Sequence, residues 1–266
     1  MTDLGITQAR GVRTLLLNRP SVRNAFHGGL LLELTAALAD AEADASARVI
    51  VIAGAGPMFC AGADLGWMAA AALEGDEAND RNARAMGSVF HALADCRKPT
   101  VARVHGAALG GGVGLLAACD VVVAGPAASF ALSEVRLGLV PAVISPFVVR
   151  RLGPARARVA FLRGGRLDAA EGYRQGLCDV LAAEPGDDAL DAAVAVVVDD
   201  LRRGGPEALL VCKTLVDGVA GRPPAEVLDF TARLIAERRA SAEAQEGMAA
   251  FLGKRPAAWI GDSEGP

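Results

Sequence analysis

Two segments carry residue types that could expose backbone donors to a ligand. The first is Met58-Phe59-Cys60-Ala61-Gly62-Ala63-Asp64-Leu65, and the second is Leu109-Gly110-Gly111-Gly112-Val113-Gly114-Leu115. Three consecutive glycines at the start of a helix allow close approach and unusual dihedrals. The first N–H groups of a helix lack intrahelical partners and sit at the positive end of its dipole. Such a place can hold an anion or a developing oxyanion. A tight turn or close helix packing explains the same glycines without any ligand. In the first segment only small side chains surround the backbone of Ala61 to Ala63, so a ligand could approach it. Asp64 precedes a helical stretch, and a helix N-cap is its simplest local role.

Other chemistries lack their residues. GGGVG has neither the Gly-Lys-Ser/Thr ending of a phosphate loop nor the GxGxxG spacing of a dinucleotide site. Cys60, Cys96, Cys119, Cys178 and Cys212 form no CxxC pair, and no metal-ligand spacing is present, so neither a disulfide framework nor a metal site is expected. His105 has no nucleophile beside it in the sequence. His27 and His91 fall in helical surroundings, and Cys60 and Cys119 read as small buried side chains. Glu134 follows a short strand, where a solvated surface charge is the ordinary reading.

The elements that would position these segments alternate. Val12 to Leu17, Arg48 to Ala53, Pro99 to Val104, Val121 to Ala124 and Ser129 to Leu132 read as strands, the second of them fully buried. Helical spacing covers Leu30 to Ala43, Asp80 to Cys96 and Leu115 to Cys119. The acidic group Glu74, Asp76, Glu77 and Asp80 reads as a solvated segment. Beyond residue 150 the pattern is nearly all helical: 154–162, 187–203, 206–219, 224–240 and 241–252. An α/β core over residues 1–200 followed by a helical region over 201–266 is the expected organisation.

The bulk properties agree. The 266 residues are 52% hydrophobic and 22% charged, but only 4% aromatic, so the core is built from Ala, Val and Leu. A net charge of −4 excludes a broad nucleic-acid footprint. The polar start MTDLGITQAR has no apolar targeting core, and no run is long and apolar enough to span a membrane. A reducing, cytoplasmic setting is expected.

In order along the chain, NRPSVRNAF (18–26), FCAGADL (59–65), KPTVARVHGAALGGGVGLLAACD (98–120), SFALSEVRLGLVP (129–141), FLRGGRLDAAEGYRQGLCDVL (161–181) and AFLGKRPAAW (250–259) together resemble the enoyl-CoA hydratase/isomerase (crotonase) family. The resemblance implies a spiral of ββα turns with a C-terminal helical region used in trimerisation, and assembly as a trimer or a hexamer of two trimers. It implies an acyl-CoA thioester as substrate, with no further cofactor. By the same resemblance, the N–H groups of Ala63 and Gly111 form an oxyanion hole and Glu134 is the acid/base carboxylate. Ala61, Asp64, Arg23 and Gly114 fall at substrate-binding positions. Phe251 and Lys254 fall there too, and can come from a neighbouring subunit.

Two departures stand out from that likeness. Two-glutamate hydratases carry a second Glu where this chain has Gly114, and their IPGxGG segment is replaced by Val140-Pro141-Ala142-Val143-Ile144-Ser145-Pro146. Both, together with Gly62-Ala63-Asp64-Leu65-Gly66-Trp67-Met68, resemble the subgroup of methylglutaconyl-CoA and isohexenylglutaconyl-CoA hydratases. The glycine is expected to leave room for a branched or carboxylated acyl group. Hydration of a 2-enoyl-CoA is the implied reaction. A Δ3,Δ2-isomerase and a CoA-binding protein that has lost catalysis are the alternatives.

Overall fold

The computed structural model describes residues 2–260. Strands β1 (Leu4–Ala9) and β2 (Val12–Leu17) form an antiparallel hairpin at one edge of a six-stranded sheet. From β2 onward the sheet is parallel, through β3 (Val49–Gly54), β4 (Thr100–Val104), β6 (Val121–Ala124) and β9 (Val180–Leu181). A second sheet of three short strands, β5 (Ala107–Leu109), β7 (Ser129–Ala131) and β8 (Arg166–Asp168), stands beside it in the order β5-β7-β8.

Helices return the chain between the parallel strands. They are α1 (Gly28–Ala43), α2 (Leu65–Leu73), α3 (Asp76–Ala94), α4 (Gly111–Ala118), α5 (Ser145–Arg163) and α6 (Ala169–Gln175). All six residues of β3 are buried. Ile50 and Ile52 enter the main core, while Val49 and Val51 enter a second cluster under α7 (Asp187–Arg203). A sheet covered on both faces explains why β3 reads as a continuous apolar run. Leu190, Val194 and Val198 recur every four residues and supply the buried stripe of α7.

Three C-terminal helices follow: α8 (Pro206–Val219), α9 (Pro224–Ala240) and α10 (Ala242–Leu252). Residues 261–266 of the expected C-terminal region lie outside the described residues. The trio is tied to the amino ends of the parallel strands. Arg48, just before β3, donates to the carbonyls of Gly204 and Trp259, each at 2.8 Å. Lys213 meets Asp120, just before β6, at 3.0 Å.

Three local expectations are corrected. β1 was not anticipated. The helix expected over 154–162 spans 145–163, with a break at Gly153 (φ 73°) where Pro154 starts its second half. The tract beyond residue 150 also contains the short strands β8 and β9, while the triple glycine opens α4 at Gly111 as expected.

Candidate active site

The two small-residue segments lie side by side. Cys60 and Ala108 form a parallel bridge: Cys60 N–H donates to Ala107 O at 3.2 Å and Leu109 N–H to Cys60 O at 2.9 Å. Gly62, at φ 89°, comes so close to the helix start that an added β-carbon would stand 3.1 Å from Gly111 N. Neither Ala63 N–H nor Gly111 N–H meets an acceptor among the described residues. Two unpartnered donors therefore converge, one from a loop and one from the first turn of α4, whose dipole favours negative charge there.

Phe26 joins the halves. Its N–H donates to Gly62 O at 2.9 Å and its carbonyl accepts Asp64 N–H at 2.8 Å, so it clasps the backbone on either side of Ala63. Its ring lies against Gly111, where any β-carbon would come within 2.3 Å of Cζ. Glycine is required at 111 by this packing.

Glu134 lies over the same spot. It opens a short 3-10 turn (Glu134–Leu137) just after β7, and a β-carbon on Gly110 would stand 3.1 Å from its Oε1. Gly110 itself has φ 50° and ψ −118°, and it donates to Ala131 O at 2.8 Å. The pairing of β5 with β7 thus sets the carboxylate beside the helix start. Glu134 Oε2 is buried without a hydrogen-bond partner. Burial raises the pKa of this carboxyl above its ordinary 4.5, against a smaller opposing backbone hydrogen bond.

Ala61 and Arg23 are also brought together, because Ala61 N–H donates to Arg23 O at 2.9 Å. The Arg23 side chain is exposed beside that loop.

The remaining expected residues are placed otherwise. Asp64 is an N-cap: its Oδ1 accepts from Gly66 N (3.0 Å) and Trp67 N (3.2 Å), and its Oδ2 lies 3.6 Å from Arg19. Its carboxylate orders the start of α2. Asp64→Ala is expected to lower stability by about 1 kcal/mol in a denaturant titration, while Asp64→Asn keeps most of it.

Gly114 is the larger correction, for it leaves no room. It is buried, and a β-carbon there would meet Ile144 Cγ2 at 2.2 Å and Phe90 Cε1 at 3.0 Å. Ile144, from the segment that replaces the glycine-rich one, fills the space that the missing side chain would take. Phe251 and Lys254 are exposed at the end of α10, on the helices tied to the opposite strand ends. Within one chain they do not join Ala61 and Arg23.

Sequence reasoning passed over Asn24 and Phe26, although both stand in the quoted NRPSVRNAF. Asn24 is fully buried, and its Nδ2 reaches three carbonyls, those of Ala55, Met58 and Phe59, at 2.8, 2.9 and 3.1 Å. A polar residue at a left-handed turn was the available signal.

The comparisons give this fold its class. Residues 7–262 match the enoyl-CoA hydratase/isomerase family, and the chain belongs to it. It is 35% identical over 257 residues to the enoyl-CoA hydratase ACTT6 of Alternaria alternata, covering 96% of this chain and 83% of that one. Among solved structures, Pseudomonas aeruginosa AtuE superposes with a TM-score of 0.92 at 39% identity, over 98% of this chain and 100% of the other. An enoyl-CoA hydratase from Shewanella pealeana gives 0.92 at 35% identity, over 97% and 96%. Among the described residues no helix is long and apolar enough to cross a membrane.

Proposed function

We propose that this enzyme reversibly hydrates a branched 2-enoyl-CoA, using Glu134 as its single proton-carrying carboxylate. The observation that carries this reading is the convergence of the free Ala63 and Gly111 N–H groups with the partly desolvated Glu134. In the forward direction Glu134 takes a proton from water as the water oxygen bonds to C3. The electron pair of the C2=C3 bond shifts into the C1–C2 bond as the carbonyl π pair moves onto the thioester oxygen, which the two N–H groups hold. Glu134 then returns the proton to C2 as the enolate collapses. Each donor of this kind is worth roughly 3 kcal/mol by comparison with other oxyanion sites.

The acyl group takes its proposed branch from the likeness of the 62–68 and 140–146 segments to the methylglutaconyl-type subgroup. The test is turnover of crotonyl-, 3-methylcrotonyl-, glutaconyl- and 3-methylglutaconyl-CoA, followed as loss of the conjugated thioester absorbance. Branched members are expected to give the higher kcat/KM. A clear preference for crotonyl-CoA would reject the branch, and conversion of only 3-enoyl-CoA substrates would make the protein an isomerase.

The raised pKa of Glu134 has a kinetic consequence. Hydration needs the ionised form, so kcat/KM is expected to fall as pH drops through a value above 4.5. An acid limb at or below 4.5 would assign the limb to another group.

The assembly is proposed as a trimer or a pair of trimers. Leu228, Ile235 and Met248 are exposed on α9 and α10 and line a groove of about 770 Å³ between α8, α9 and α10, and Phe251 and Leu252 are exposed at the end of α10. In such an assembly Phe251 and Lys254 can reach a neighbour's CoA. Lys254→Ala is then expected to raise KM several-fold with kcat nearly unchanged. A monomer by sedimentation at micromolar concentration would refute the assembly.

A further inference from the structure

Between Phe59 and Asp64 every backbone N–H but one is tied. Phe59 donates to His105 O, Cys60 to Ala107 O, Ala61 to Arg23 O, Gly62 to the Cys60 sulfur and Asp64 to Phe26 O. Ala63 alone is left free among the described residues. The pattern depends on two fully buried side chains that touch none of the groups proposed to react.

Asn24 holds a left-handed conformation at φ 56°. Its Oδ1 accepts Arg19 N–H at 2.9 Å, and its Nδ2 gathers the carbonyls of Ala55, Met58 and Phe59. Its own carbonyl accepts the Cys60 S–H at 3.2 Å, and the Cys60 sulfur accepts Gly62 N–H at 3.4 Å. Burial pushes the Cys60 thiol up to about 12, so it keeps its proton and can donate and accept at once.

We infer that Asn24 and Cys60 form a positioning relay that sets the direction of the Ala63 N–H. The relay rests on the reading of Ala63 as an oxyanion donor. Gly62 N–H is the immediate neighbour of that donor. Without the sulfur it would be a buried donor with no partner, and such a group turns toward any acceptor in reach. Turning it rotates the Ala61–Gly62 peptide plane, which is hinged at Gly62 Cα to the plane that carries the Ala63 N–H and that Phe26 N–H holds through Gly62 O, and a donor displaced within an oxyanion site loses effect on a transition state. Asn24 fixes the strand end from which this loop departs, so the two side chains control adjacent parts of one turn.

The test uses Cys60→Ala, Cys60→Ser and Asn24→Asp in the full chain, with acetoacetyl-CoA as a probe. This β-ketothioester ionises to an enolate with its own ultraviolet absorbance, and an oxyanion site favours that form without any turnover. Cys60→Ala is expected to lose about tenfold in kcat, change KM less than about twofold and show a weaker enolate band. Cys60→Ser, which restores a donor and an acceptor, is expected to recover most of both signals. Asn24→Asp keeps the acceptor for Arg19 N–H but loses both N–H donors that face the carbonyls of Ala55, Met58 and Phe59, and is expected to weaken the band further.

If Cys60→Ala melts earlier yet keeps the native kcat and enolate band, the relay is only structural and the inference fails. A folded Asn24→Asp with a native band removes Asn24 from it; where Asn24→Asp does not fold, the Cys60 pair decides. Glu134→Gln separates the two readings: it is expected to lose turnover and retain the band. A native enzyme with neither the band nor turnover of any 2-enoyl-CoA overturns the donor reading, and the relay with it.

Discussion

Glu134→Gln is expected to lower turnover of the enzyme's best 2-enoyl-CoA by a factor of about 10² or more, without loss of fold. Gln keeps the shape of the side chain beside Gly110 and removes its capacity to carry a proton. The direction of the stability change is also set. Burial raises the pKa of Glu134, so the folded chain holds that proton more tightly than the unfolded one. The resulting stabilisation is full below the ordinary value of 4.5 and is lost as pH rises through the raised value. At pH 8 the native protein carries a partly desolvated charge whose Oε2 has no partner, and the amide does not. The variant is therefore expected to melt at the same temperature as the native enzyme, or higher, at pH 8, with the difference shrinking toward pH 5. Thermal melts at both pH values, beside steady-state rates, check this. Near-native turnover would remove Glu134 from the chemistry.

What was legible in the sequence was local. The run Val49 to Gly54 is short, apolar and largely β-branched, so its burial on both faces could be read directly. The glycines of the second segment likewise announced a helix start. β1 was missed because it is an edge strand: most of Leu4–Ala9 is exposed, and Gly5 and Gln8 interrupt any alternation. The helix around Gly153-Pro154 was cut short because that pair reads as a start, although Ser145-Pro146 offers a start signal of its own further upstream.

Long-range partners were illegible. Asn24 acts on carbonyls more than thirty residues away, and nothing in NRPSVRNAF says which ones. Asp64 was open to two readings, and only its bonds to Gly66 and Trp67 decide for the cap. Gly114 and Ile144 were both visible as departures from the two-glutamate pattern. Their contact was not, because thirty residues of chain separate them.

That contact reverses the expectation attached to Gly114. Were the position vacant, Gly114→Glu would add a second carboxylate and improve hydration of a small linear substrate. The packing says otherwise. The first carbon of the new side chain would stand 2.2 Å from Ile144 Cγ2 and 2.8 Å from Ile144 Cβ, and Phe90 closes the other side at 3.0 Å. Ile144 is 2% exposed and Phe90 is 0% exposed, so neither has open space to move into. Overpacking a core by even a few atoms costs about 1–3 kcal/mol, and a buried carboxylate without a partner adds more. A total beyond about 4 kcal/mol consumes much of the stability of an ordinary domain. Gly114→Glu is therefore expected to give little soluble protein and no gain on crotonyl-CoA. The backbone is not the obstacle, since Gly114 is absent from the positive-φ glycines. Removing the obstruction should then restore folding: Gly114→Glu combined with Ile144→Gly is expected to recover soluble protein and a cooperative melt that Gly114→Glu alone lacks. Such a rescue is the non-additivity expected of two residues sharing one volume. Crotonyl-CoA hydration by the double variant would further show that a carboxylate at 114 faces the acyl group. A Gly114→Glu protein that melts like the native enzyme would show instead that Ile144 yields, and that glycine at 114 is not dictated by its neighbour.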